Sequence, residues 1–143
     1  MKNLLLKLTI ITALMALILP LTGCKTTQGS RSTDKATLHT SVIYKERILL
    51  PRKATVTVKL QDVSKMDVAA KVIAQSTVLT EGPPPYAIVL MYDASELNEN
   101  ARYAVSARIE ENGRLLFIND THIDPFVVPA GETVEIMVKS VAR

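Results

Sequence analysis

Three segments of the chain alternate strictly between apolar and polar residues, and this period of two constrains the fold more than any other feature. Residues 55–61, 102–110 and 133–139 each show it. In the first segment Val56, Val58 and Leu60 share one face, and in the second Val105 and Ile109 do. A period of two places alternate side chains on opposite faces of a β-strand. The segments therefore predict strands with one buried face.

Weaker patterns predict four further strands, over residues 38–46, 68–79, 86–92 and 114–119, although 68–74 would also suit a short helix. The run 83–85 contains three prolines, which cannot donate to a strand ladder. Asn112-Gly113 is typical of a tight hairpin turn in which both central residues have positive φ. About seven short strands separated by turns predict an all-β fold, a single immunoglobulin-like β-sandwich.

The first 24 residues have the features of a bacterial lipoprotein signal peptide. Lys2 and Lys7 precede an apolar run over 8–19. This run is too short for a spanning helix, which needs about 20 apolar residues. Leu21-Thr22-Gly23-Cys24 then resembles a lipobox. In lipoproteins of this kind the cysteine sulfur is diacylated, the chain is cut before the cysteine, and the new amine usually receives a further acyl chain such as palmitate. Two or more acyl chains hold a protein firmly on a membrane. We expect lipidation at Cys24; an ordinary secretory signal or an uncleaved anchor is the alternative.

Composition divides the chain into three parts: a cleaved signal peptide (1–23), Cys24 with a flexible polar tether (24–37), and one folded domain (38–143). Loss of the two lysines in 1–23 lowers the net charge from +3 to +1, and no basic stripe with aromatics remains, so nucleic-acid binding is not expected. The lone cysteine excludes an internal disulfide framework and a Cys-rich zinc site. Lys25 follows Cys24, and by analogy with lipoprotein sorting this favours the outer membrane of a Gram-negative cell, with the domain facing the periplasm.

An ordered set of residues after the tether resembles the YbaY/YscW lipoprotein family. We call these the signature residues: Tyr44, Glu46, Arg47, Leu50, Pro51, Asp62, Ser64 and Asp67. Segments 85–93, 103–109 and 113–117 follow in the family's order. The resemblance implies a β-sandwich. YscW-type members look like pilotins, which escort a secretin subunit to the outer membrane, whereas YbaY-type members are stand-alone lipoproteins, the type that this chain is closer to.

The signature residues allow both a functional and a structural interpretation. Tyr44, Glu46 and Arg47 could form a polar patch for a partner, but an inward Tyr with charges that pair locally is favoured. Asp62, Ser64 and Asp67 contain oxygen ligands that suit calcium, yet the spacing lacks the EF-hand glycine and glutamate. We expect them to form a turn, with no metal and no cofactor.

Catalysis is not expected. The two histidines, His39 and His122, have no nucleophile-elbow serine near them in sequence. The resemblance also supplies no catalytic residue.

The segment 86–92 is apolar on both faces and supplies the candidate binding residues. Tyr86, Ile88, Leu90 and Tyr92 point one way, and Ala87, Val89 and Met91 the other. A strand of this kind is either central in its sheet, covered on its outer face by 68–79, or part of an exposed groove that accepts a partner's amphipathic helix. In the last case 123–129 would form a wall, with Phe126 as an anchor.

The sequence thus predicts a non-enzymatic outer-membrane lipoprotein with a pilotin-like or chaperone role. Its expected partner is a secretin or another outer-membrane component. The alternative is a stand-alone envelope lipoprotein that binds a glycan or lipid or has a structural role.

Overall fold

The computed structural model describes residues 34–141, and the described chain consists of strands joined by loops. The predicted signal peptide and Cys24 lie outside these residues, as does most of the tether. The elements in order are β1 (Lys35–Ile43), β2 (Ala54–Asp62), β3 (Lys71–Leu79), β4 (Tyr86–Asp93), a 3-10 turn (Ala94–Glu96), β5 (Tyr103–Glu111), β6 (Arg114–Ile118), β7 (Thr133–Met137) and β8 (Lys139–Ser140). Between residues 34 and 141 no helix is long and apolar enough to cross a membrane.

The strands form two sheets that pack into a sandwich, as predicted. One sheet has three strands in the order β4-β1-β7, and the other has five in the order β3-β2-β5-β6-β8. All pairs are antiparallel except β1 and β7, which run side by side in parallel. The immunoglobulin-like strand arrangement stays a prediction.

The core follows the alternation read from the sequence. Val56, Val58 and Leu60 on β2 are fully buried. Val105 and Ile109 lie beside them on the neighbouring strand β5, on the same face of the sheet. On the opposite sheet the inward positions of β1, β4 and β7 close the core; they include Val42, Ile88, Leu90, Val134 and Ile136. Because each strand buries alternate side chains, the two sheets share one apolar layer.

Turn chemistry is also as predicted between β5 and β6. Asn112 and Gly113 both have positive φ, 51° and 79°. This conformation matches the twist of the two strands that the turn joins, and asparagine and glycine tolerate it best.

Two expected strand bounds were wrong, and one open alternative is resolved in favour of the strand. β1 begins at Lys35 rather than at 38, because Lys35 and Ala36 pair with Asp93 and Tyr92 of β4 and extend the ladder into the polar segment. The helical alternative for 68–74 is replaced by the strand β3, which follows an irregular stretch. The last predicted strand is divided at Val138, whose N–H donates to the Ile43 carbonyl before β8 joins the other sheet.

A pair of isoleucines tests whether this layer carries the stability. Ile109 is fully buried, whereas Ile118 on the adjacent β6 is exposed. We expect Ile109→Ala to lower the free energy of unfolding by about 2–5 kcal/mol, because it leaves a cavity. The matched Ile118→Ala should change it by less than about 1 kcal/mol. Urea unfolding measures both, and equal losses would contradict the described core.

Candidate functional site

A surface cleft of about 560 Å³ lies at the end of the sandwich where β1 finishes. We call this end the distal end, and the end where Asp34 enters β1 the entry end. The cleft is lined by the loop after β1, by β6 and by the chain at and just after β8; these residues are Ile48, Leu49, Leu50, Pro51, Arg114, Leu115, Leu116, Phe117, Ser140 and Val141. Most of this lining is apolar, and Ile48, Leu49 and Val141 are exposed.

Tyr44 contacts two residues that line the distal cleft, Phe117 and Ile48. It directly follows β1, and its buried ring packs on Phe117 with the ring centroids 5.0 Å apart. Its hydroxyl donates a 2.9 Å hydrogen bond to the carbonyl of Ile48. The bond closes residues 44–48 into a loop. Ile48 and the following Leu49 are exposed at the surface.

Three more signature residues lie in or beside the loop that borders the distal cleft. A Glu46 carboxylate oxygen accepts a 3.2 Å hydrogen bond from the N–H of Ser140, which ties the loop to β8. The Pro51 carbonyl accepts from the N–H of Ala54 and so leads the chain into β2. Leu50 is half-buried against the core. Tyr44, Glu46 and Pro51 thus make local hydrogen bonds, and the apolar Ile48 and Leu49 between them are exposed.

The lining of the cleft carries little net charge. Arg114 lines it, and its guanidinium pairs with the Glu111 carboxylate at 3.2 Å on the surface. An exposed pair of this kind contributes about 0–1 kcal/mol. Arg47 is exposed and faces solvent. A cleft with mostly apolar walls and one neutralised cation at its rim suits an apolar segment better than a charged ligand.

The remaining signature residues lie at the entry end and form the predicted turn. The Asp62 carboxylate accepts a 2.9 Å hydrogen bond from the N–H of Ser64, and the Ser64 hydroxyl accepts from the N–H of Arg102. Hydrogen bonds from Ser64 lower the pKa of Asp62. Asp67 has φ 60°, a turn conformation. Among residues 34–141 no three potential ligands converge as a metal site would require.

The candidate binding face on β4 needs correction. Tyr86, Ile88 and Leu90 are buried in the core, because this face of β4 points at the opposite sheet. β4 is an edge strand rather than a central one, and its outer face is open at Val89 and Met91. The groove expected from these three side chains is therefore absent from the described surface.

Tyr92 and Phe126 do come together, at the entry end. The Phe126 ring stands edge-on to Tyr92 at 6.2 Å and to Tyr103 at 5.5 Å. Tyr92 is half-buried, and Phe126 remains partly exposed. These ring contacts pack the loop before β7 against the sandwich, at the opposite end from the distal cleft. His39 lies on β1 and His122 in the loop after β6, both exposed.

The residues that sequence reasoning missed are Ile48, Leu49 and Leu115. A signal was present: Ile48, Leu49 and Leu50 are consecutive apolar residues just before Pro51, in a stretch that must be a loop. Loops are normally polar, and an exposed apolar patch usually has a partner.

Tyr86 provides a test of its placement. Burial raises the pKa of Tyr86 to about 12, and Tyr44 nearby adds to the shift. A raised pKa favours the neutral phenol in the folded state, so this contribution to stability is complete below about pH 10 and disappears as the pH rises towards 12. We expect the ultraviolet titration step that Tyr86→Phe removes to lie near pH 12; a step near pH 10 would place Tyr86 at the surface.

Three comparisons with known proteins bear on this geometry. Residues 33–138 match the model of a family described as type III secretion system lipoprotein chaperone (YscW). The chain is similar to the uncharacterized lipoprotein YbaY of Escherichia coli (strain K12), with 36% identity over 97 residues, 67% of this chain and 50% of that protein. The match thus spans about half the length of this curated relative.

A solved structure is similar as well. It is that of an alternative pilotin from the type II secretion system of Vibrio cholerae, with 43% sequence identity and a TM-score of 0.70. The match covers 76% of this chain and 99% of the pilotin chain. Both the distal cleft and the signature residues fall within the family match at 33–138, apart from the last two lining residues of the cleft.

Proposed function

Because the chain belongs to the YscW family of type III secretion system lipoprotein chaperones, we propose that it is a lipid-anchored binding protein that escorts a secretion component. The partner in this proposal is a secretin subunit or another subunit of an outer-membrane assembly. The likeness to a type II secretion pilotin at 43% identity supports a pilotin-like role. The domain acts by binding and carries out no catalysis.

The distal cleft carries the proposal. Ile48 and Leu49 are exposed in the cleft, and the hydrogen bonds of Tyr44 and Glu46 hold the loop that carries them. The apolar surface is therefore in place before a partner arrives. A preformed surface loses little conformational freedom on binding. An apolar segment of the partner, laid along β6 and the 48–51 loop, would cover these side chains.

Lipidation at Cys24 supplies the location. The lipobox ending at Cys24, and Lys25 after it, support an outer-membrane anchor with the domain in the periplasm. The likeness to lipoprotein YbaY is consistent with an anchor. A partner bound in the distal cleft would then be carried with the lipoprotein to the outer membrane.

The proposal is tested by crosslinking the full-length protein in cells and identifying its partners by mass spectrometry. We expect one outer-membrane secretion or assembly subunit to dominate. Leu49→Asp should lower its recovery at least tenfold, because a carboxylate in the cleft must be desolvated when the partner binds. Cys24→Ala should remove both proteins from the outer-membrane fraction.

Met91→Asp is the matched control, since Met91 is 74% exposed and Leu49 79% exposed, on different faces of the domain. Both substitutions lie at the surface and should leave the fold intact. Equal recovery from both variants would exclude the distal cleft. Recovery of abundant envelope proteins alone would favour the second function, an envelope lipoprotein that binds a glycan or lipid.

A further inference from the structure

A second group of exposed apolar side chains lies at the entry end, on two loop tips. Met66 and Val68 belong to the loop between β2 and β3, and Phe126 and Val127 to the loop before β7. Met66 is 81% exposed and Val127 79%. Loop tips in water are usually polar, so this group needs an explanation that the distal cleft does not provide.

The strand directions bring both loops to the end where the chain enters the domain. The first loop follows Asp62, whose partner across the ladder is Tyr103 at the start of β5. Phe126 contacts both Tyr103 and Tyr92, and Tyr92 pairs with Ala36 at the start of β1. The apolar tips and the beginning of the folded chain therefore share one end of the sandwich.

Local hydrogen bonds hold the tips in this exposed arrangement. The Asp124 carboxylate accepts a 2.9 Å bond from the N–H of Phe126, while the Phe126 ring packs edge-on against Tyr103. Val127, the next residue, is left projecting outward. In the other loop the Asp62–Ser64 turn precedes Met66 in the same way. The apolar groups are thus displayed by ordered turns.

The length of chain before the domain limits what can lie against this end. Nine residues lie between Cys24 and Asp34, and this segment spans at most about 35 Å when fully extended. An acylated Cys24 would therefore keep the entry end close to the bilayer. The distal cleft, at the other end, faces away from the bilayer only when the entry end lies against it.

The charges near the tips suit a surface that carries both signs. Lys65 and Lys71 flank Met66 and Val68, and Lys71 pairs with Glu96 at 3.4 Å. Asp67 and Asp124 lie beside the apolar residues. A zwitterionic headgroup layer offers phosphate to the lysines and ammonium to the carboxylates, whereas a strongly anionic surface would repel the carboxylates.

We propose that Met66, Val68 and Val127 contact the headgroup region of the bilayer and orient the domain with its distal cleft pointing into the periplasm. The inference rests on the proposed anchor at Cys24. Shallow insertion of apolar side chains beside a lipid anchor adds a second attachment to the first. It fixes the orientation of the domain, which a tether alone leaves open.

Site-specific fluorescence tests the orientation. Met66→Cys and Val127→Cys are made separately in the full-length lipoprotein, whose Cys24 sulfur is blocked by its acyl chains. Each purified variant is reconstituted into phosphatidylethanolamine-rich vesicles, and the new thiol is labelled with an environment-sensitive dye. We expect a blue-shifted emission and quenching by lipids with a quencher near the headgroups. Leu49→Cys is the matched control, because Leu49 and Val127 are both 79% exposed at opposite ends. The dye at 49 should report water and remain unquenched.

The outcomes separate this inference from the proposed function. Dyes at 66 and 127 that match the dye at 49, in a protein that floats with the vesicles, would overturn the orientation and leave the anchor intact. A purified protein whose Cys24 carries no acyl chains by mass spectrometry would remove the anchor, and the orientation with it. Loss of partner recovery in Leu49→Asp bears on the distal cleft alone.

Discussion

The contact between Tyr44 and the residues around it holds the loop that carries the exposed side chains of the distal cleft. The ring closes the distal end of the core against Phe117 and lies 6.5 Å from Tyr86. Its hydroxyl holds the carbonyl of Ile48. A buried aromatic residue with a polar tip can do both, since the ring fills the core and the hydroxyl reaches the rim. Together with the hydrogen bonds of Glu46 and Pro51, this contact holds the chain between β1 and β2.

The two ends of the sandwich differ in the residues that their loops present. The distal end combines the 48–51 loop, β6 and β8 into an apolar cleft. The entry end has the Asp62–Ser64 turn and the aromatic contact of Phe126 with Tyr103. A lipoprotein with a partner needs one surface near the membrane and one away from it. The proposed function and the proposed orientation use these two ends separately.

Much of the fold was predictable from local chemistry. The period of two identified β2 and β5 because their inward residues, such as Val58 and Ile109, lie in one shared layer. Asn112-Gly113 specified its turn because few other residues adopt positive φ twice in succession. The start of β1 was missed because Lys35 is recruited by pairing with Asp93, a contact distant in sequence.

The candidate site was less predictable, since it depends on which face of a strand meets the other sheet. Leu90 and Met91 are equally apolar, and only the packing of the two sheets decides that Leu90 is buried and Met91 exposed. The distal cleft joins Leu49, Leu115 and Val141, which are far apart in the chain. For Tyr44 and Glu46 the sequence favoured an inward tyrosine and a locally paired charge over a polar patch, and both make local hydrogen bonds beside the apolar residues of the cleft.

The substitution Tyr44→Phe tests the central claim most directly. It keeps the ring in the core and removes only the hydrogen bond to Ile48, which should cost about 1 kcal/mol of stability. The measurement is the amount of crosslinked partner recovered from cells at equal lipoprotein levels. The account predicts a clear loss of partner from a protein that remains folded and membrane-bound. Wild-type recovery of the partner would contradict it, because the signature residues would then not act through the distal cleft.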